Sequence, residues 1–70
     1  MHIVLPEGFG GGLLVLYDVQ GRRAAETKIP ENQAQRIFTL YTPHLKPGMY
    51  LLEVEGKDGR VWRKKVMKKH

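Results

Sequence analysis

Seventy residues allow one domain at most, and a domain of that size buries only about 60% of the surface its unfolded chain exposes. With no cysteine, no disulfide or thiolate metal site can reinforce it, and the longest apolar run, residues 13–17, falls far short of the ~20 residues of a membrane-spanning helix. The net charge of +5 is gathered at one end: residues 57–70 hold seven of the twelve Lys and Arg against one acid, whereas residues 1–56 hold five basic and six acidic side chains.

The chain opens without the profile of a secretory leader, because Met1-His2-Ile3-Val4 gives way at once to Pro6, Glu7 and glycines. Either the protein stays where it is made, or the sequence is part of a longer one. Residues 3–5 predict a short strand that stops at Pro6. The run Gly8-Phe9-Gly10-Gly11-Gly12 invites comparison with a phosphate loop. Such a loop needs a strand before it and a helix N-terminus after it. Here an aliphatic strand follows and no Lys-Ser or Lys-Thr pair is present, so the run predicts a flexible connection. Residues 13–19 predict a strand that is apolar on both faces and therefore suited to burial on both. It ends in Asp18-Val19-Gln20-Gly21, a turn sequence whose glycine tolerates positive φ. Residues 23–29 predict a polar edge strand closed by Pro30.

Helix signals are poor. The best window, residues 32–37, is too short to hold an amphipathic helix. Residues 36–42 alternate, with Phe38 and Leu40 on one face. Residues 49–55 alternate most clearly: Tyr50, Leu52 and Val54 face one way, Glu53 and Glu55 the other. Lys57-Asp58-Gly59 predicts a hairpin turn into a last strand over residues 60–69. Six or seven short strands with Gly and Pro turns predict an all-β chain, a small β-sandwich or open barrel. Its core should draw on Leu14, Leu16, Phe38, Leu40, Tyr50, Leu52 and Val54.

Nothing in the sequence supports catalysis or a cofactor. His2, His44 and His70 show no ligand spacing, serine is absent, and neither Thr27, Thr39, Thr42 nor the tyrosines stand beside an obvious base. The carboxylates are scattered at turns and on strand faces. The last strand differs, since it mixes Val61, Trp62, Val66 and Met67 with Lys64, Lys65, Lys68 and Lys69. Exposed cations on an edge strand keep it soluble and discourage aggregation. The other reading is that another molecule recognises them. Each such lysine should contribute little to stability.

Three motifs carry a resemblance. Leu14-Val15-Leu16-Tyr17-Asp18-Val19-Gln20-Gly21-Arg22 resembles the hydrophobic-Tyr-Asp-x-x-Gly-Arg motif of the C-terminal sorting domains of type IX secretion cargo in Bacteroidetes. Leu45-Lys46-Pro47-Gly48-Met49-Tyr50-Leu51-Leu52-Glu53-Val54 resembles the family's Leu-x-x-Gly-x-Tyr motif. Lys64-Lys65-Val66-Met67-Lys68-Lys69 resembles its basic-apolar terminal strand. The family motif residues here are Tyr17, Asp18, Gly21, Arg22, Leu45, Gly48 and Tyr50, and most of them have a structural reading as turn or core. Family members usually open with an Asn-Pro-containing strand that this sequence lacks, so residues 1–70 read as the sorting domain without its first strand and upstream linker.

The resemblance implies an immunoglobulin-like β-sandwich of about six to seven strands, acting as a non-catalytic secretion address. It implies a cargo domain N-terminal to the chain, which reaches the periplasm by its own leader. It further implies recognition by the type IX translocon and an outer-membrane shuttle protein through Lys64, Lys65, Val66, Met67, Lys68 and Lys69. A sortase-like signal peptidase would then cut upstream of this chain, leaving the cargo at the cell surface or released. Two other classes compete. One is a small basic domain that binds single-stranded nucleic acid, in which Arg60, Trp62, Arg63 and the lysines would meet phosphates and bases. Its weakness is that Trp62 is the one aromatic in the segment. The other is a structural sandwich module of a surface protein. A missing first strand would leave an unpaired sheet edge, so the isolated chain is expected to form a homodimer or a strand-swapped dimer.

Overall fold

The structure, a computed structural model, describes residues 1–6, 10–31 and 37–69. Six strands follow one another: β1 (His2–Val4), β2 (Gly12–Tyr17), β3 (Arg23–Ile29), β4 (Ile37–Thr39), β5 (Gly48–Gly56) and β6 (Val61–Lys68). Among the described residues there is no helix. The strands form two sheets, β1-β4 and β3-β2-β5-β6, with every neighbouring pair antiparallel.

Local chemistry explains both hairpins of the larger sheet. In the first, Asp18 N donates to Arg22 O and Gly21 N donates to Asp18 O, with Gly21 at φ +82°. In the second, Gly56 N donates to Arg60 O and Gly59 N donates to Gly56 O, with Gly59 at φ +87°. Both are three-residue loops whose last residue sits in the left-handed region, where glycine carries no Cβ penalty. Each is closed by an aspartate and followed by an arginine.

The face assignments follow the period of two. Leu14 and Leu16 on β2 lie opposite Val54 and Leu52 on β5, and all four are fully buried. They meet Ile3, Leu5, Ile29, Leu40 and Tyr50 in one core between the two sheets. Val15 points to the other face yet is only 4% exposed, so the run 13–17 is buried on both sides as its composition implies. Each fully buried Leu contributes about 1.5–3 kcal/mol through removal of its surface from water.

Several expectations need correction. Phe38 is half-buried at the margin of the core, because β4 is a three-residue edge strand with little sheet behind it. Ile3, Leu5 and Ile29 join the core although their short or polar segments gave no periodic signal. The strand expected over residues 36–42 shrinks to Ile37–Thr39, since residues 40–47 turn into a corner before β5. The strand expected over 13–19 stops at Tyr17, where the register with β3 shifts and the turn begins. The helical window 32–37 lies outside the described residues except for Ile37, which opens β4.

The sheet order identifies the architecture. β1 and β4 stand as strands B and E of an immunoglobulin-like sandwich, and β3-β2-β5-β6 stand as C′-C-F-G. Near the start of β5 the Tyr50 hydroxyl donates to Lys46 O at 2.6 Å. That is the tyrosine corner of this fold, in which a strand-F tyrosine ties back to the chain a few residues upstream.

Candidate recognition surface: the terminal strand

β6 pairs on one side only, with β5, and so forms an edge of the larger sheet. Its inner row is Trp62, Lys64, Val66 and Lys68. Trp62 and Val66 pack against the core margin, opposite Val54 and Tyr50. Lys64 stands on that same row opposite Leu52, but is exposed. The outer row is Val61, Arg63, Lys65 and Met67, all exposed, with Met67 at 57%. Arg63 Nε meets Glu53 Oε2 at 3.0 Å across the ladder. Lys64 and Lys65 have no ion-pair partner among the described residues.

Lys68 is different. Its ammonium donates to the carbonyl oxygens of Thr42 and, at 2.7 Å, Leu45. Both acceptors belong to the corner that precedes β5, and Thr42 is itself buried. Lys65 is exposed on the outer row, whereas Lys68 is half-buried and tied to the corner, so the two lysines stand in different surroundings. Lys69 also has a partner in the structure.

The second motif is this corner seen from the sequence. Leu45 packs against the core, Gly48 turns the chain at φ +149°, and Tyr50 ties the corner down. Lys68 lies opposite Gly48 in the register, so the terminal strand and the second motif are joined at one place. No spacing in the sequence announces that junction, because residues 42 and 68 are brought together only by the ladder.

The first motif is a turn. Asp18 Oδ1 accepts from the amides of Gln20 and Arg22, each at 2.9 Å, and Oδ2 accepts from Arg22 Nε at 3.2 Å. The Arg22 amide, more than any other group, holds the Asp18 carboxyl below its usual range. Asp58 is lowered in the same way by the Arg60 amide. Tyr17 and Val19 share an open groove on the outer face with Met49, Leu51 and Lys65, so this turn and the terminal strand border one surface.

Gly12 was missed as an architectural residue. A Cβ there would meet Glu55 O at 2.0 Å, so the close approach of β2 to β5 requires glycine at that position. Residues 10–12 thus lead into a tight strand junction followed by β2 rather than a helix, while Gly8 and Phe9 of the expected connection lie outside the described residues. Among the described residues no three His, Asp or Glu side chains gather to hold a metal. Trp62, packed at the core margin, is not presented as a base-stacking platform.

A family model described as a secretion system C-terminal sorting domain matches residues 10–69. No curated protein and no solved structure matches the chain. The matched span runs from the glycines before β2 to the end of the basic strand, and so contains both motifs and the whole larger sheet. The chain therefore belongs to the family of secretion system C-terminal sorting domains, the signals by which type IX secretion cargo is exported to the cell surface or beyond.

Proposed function

We propose that β6 is the part of the domain that the translocon reads, and that the domain itself does no chemistry. What carries the reading is the position of β6: a sheet edge bearing Lys64 and Lys65, which have no ion-pair partner among the described residues, with Val66 and Met67 beside them. Lys69 extends the charge, while Lys68 holds the strand against the corner so that it is presented in one shape. The partners in this scheme are the type IX translocon and an outer-membrane shuttle protein. A sortase-like peptidase acts upstream of the chain after the cargo has passed from the periplasm. The cargo precedes the domain, and a strand A pairs beside β1 to complete the seven-strand sandwich.

The test is secretion of a reporter fused ahead of the chain. Removing residues 66–70 should retain the reporter in the periplasm; normal export would overturn the reading. Reversing Lys64 and Lys65 to Glu should reduce export while the domain still folds, because exposed charges contribute less than about 1 kcal/mol to stability. If the reversal is exported normally and Val66→Asp is not, strand shape rather than charge carries the signal.

A further inference from the structure

The free edge of β6 has a pattern, and the pattern specifies what would fit it. Gly56 N donates to Arg60 O, so residues 56 and 60 form a hydrogen-bonded pair at the start of the ladder. In an antiparallel ladder such pairs recur every second residue. Trp62, Lys64, Val66 and Lys68 therefore spend their backbone groups on β5. Val61, Arg63, Lys65 and Met67 aim theirs outward, at an edge with no strand of the described residues beside it. Along this edge the side chains read apolar, apolar, cation, cation, cation, apolar, apolar, from Val61 to Met67.

We propose that β6 takes up an extended acidic segment of a partner protein as a fifth strand of the larger sheet. The segment has the complementary pattern: two apolar residues, three acids, two apolar residues. This rests on the reading of β6 as the recognised strand and supplies its mode. Strand addition gives affinity through main-chain hydrogen bonds and specificity through the alternating side chains. On the outer row the acids meet Arg63 and Lys65, and an apolar residue meets Met67. On the inner row an acid meets Lys64, flanked by residues that extend the apolar margin of Trp62 and Val66. The pattern is the same in both directions, so it fits a parallel or an antiparallel guest.

Two comparisons within the molecule favour this occupant. The opposite edge of the sheet, β3, mixes signs, with Arg23 paired to Glu26 at 3.1 Å and Lys28 its one other charge, whereas β6 carries cations alone. Edge protection alone needs no single sign of charge. A second copy is disfavoured at β6, because antiparallel pairing centred on Lys64 sets Arg63 against Lys65 and Lys64 against itself. Like charges directly opposite are destabilising.

The probe is a capped peptide whose central residues read Val-Val-Glu-Glu-Glu-Val-Val, added to this chain and followed by amide hydrogen exchange and binding titration. Exchange should slow at the amides of Val61, Arg63, Lys65 and Met67, and not at those of Trp62, Lys64 and Val66. Lys65→Pro removes one outward amide and no bond to β5, so it should bind the peptide about tenfold more weakly than Lys65→Ala. If Lys65→Pro does not fold, Arg63→Pro against Arg63→Ala makes the same comparison, and the exchange pattern of the unaltered chain decides if neither folds. Equal affinity of the proline and alanine variants overturns the proposal. So does failure of the peptide to bind. So does equally tight binding of heptaglutamate or oligothymidylate, since charge alone would then suffice. The secretion reporter separates this from the reading beneath it. If removal of residues 66–70 blocks export while Lys65→Pro is exported like Lys65→Ala, edge pairing is wrong and the address stands. If the truncated reporter is exported, the address is wrong, and the peptide titration still judges the edge.

Discussion

At Lys68 a charged side chain reaches two backbone carbonyls, those of Thr42 and Leu45, the first of which also accepts from the Leu45 amide at 3.4 Å. Hydrogen bonds from a charged donor contribute more than neutral ones. Replacing Lys68 by Met keeps the apolar stem and removes the donor, and should cost about 1–3 kcal/mol in denaturant unfolding. Lys65→Met, three residues away and solvent-exposed, should stay within about 0.5 kcal/mol. Equal effects at the two positions would show that the corner does not depend on this contact. A second residue-scale expectation concerns acid. The Asp18 and Asp58 carboxyls are held below their usual range by the amides of Arg22 and Arg60. A depressed folded pKa contributes stability above the unfolded value and loses it as pH falls through the folded one. Thermal melts should therefore decline as pH drops through and below the ordinary carboxylate range. Asp18→Asn should flatten part of that decline; an unchanged slope would remove Asp18 from the acid response.

At the scale of elements, β5 is the centre of the larger sheet. It pairs with β2 on one side and β6 on the other, carries Leu52 and Val54 at zero exposure, and begins at the tyrosine corner. Leu52 lies between Leu16 and Lys64 in the ladder and is fully buried. Leu52→Ala should cost about 2–5 kcal/mol. A loss below about half a kcal/mol would mean that the inner face of β5 has been misassigned. The strand's alternation, Tyr50, Leu52 and Val54 against Met49, Leu51, Glu53 and Glu55, was legible because one face is buried and the other is not. β4 was not legible at its ends. Leu40, which follows it directly, and Thr42 beyond are buried in the corner rather than in a sheet.

At the scale of the whole molecule, the two sheets differ in how well they are closed. Among the described residues the larger has four strands, while the smaller has β1 and β4, three residues each. A two-stranded pair is marginal by itself and relies on packing against the other layer. The outer edge of β1 is where strand A of the sandwich would lie, and a second copy can occupy the same edge. Sedimentation of this chain should show a reversible dimer at high concentration. A monomer at every concentration would show that the smaller sheet tolerates its open edge.

Sequence alone determined the all-β class, the two glycine-closed turns and the inner face of β5. These depend on local periods and on residues whose backbone preferences hold in any context. It also determined the family, because the turn motif, the corner motif and the basic strand follow one another in order along the chain. Tertiary structure decided the rest. The core membership of Ile3, Leu5 and Ile29 depends on which sheet covers which, and short strands carry no period to announce it. The need for glycine at position 12 comes from the approach of Glu55, forty-three residues away along the chain. The difference between Lys68 and Lys65 comes from the register of β6 on β5, which turns one lysine toward the Thr42–Leu45 carbonyls and leaves the other in water. Residues of the same type and nearly the same position in sequence acquire different roles because only the folded chain supplies their neighbours.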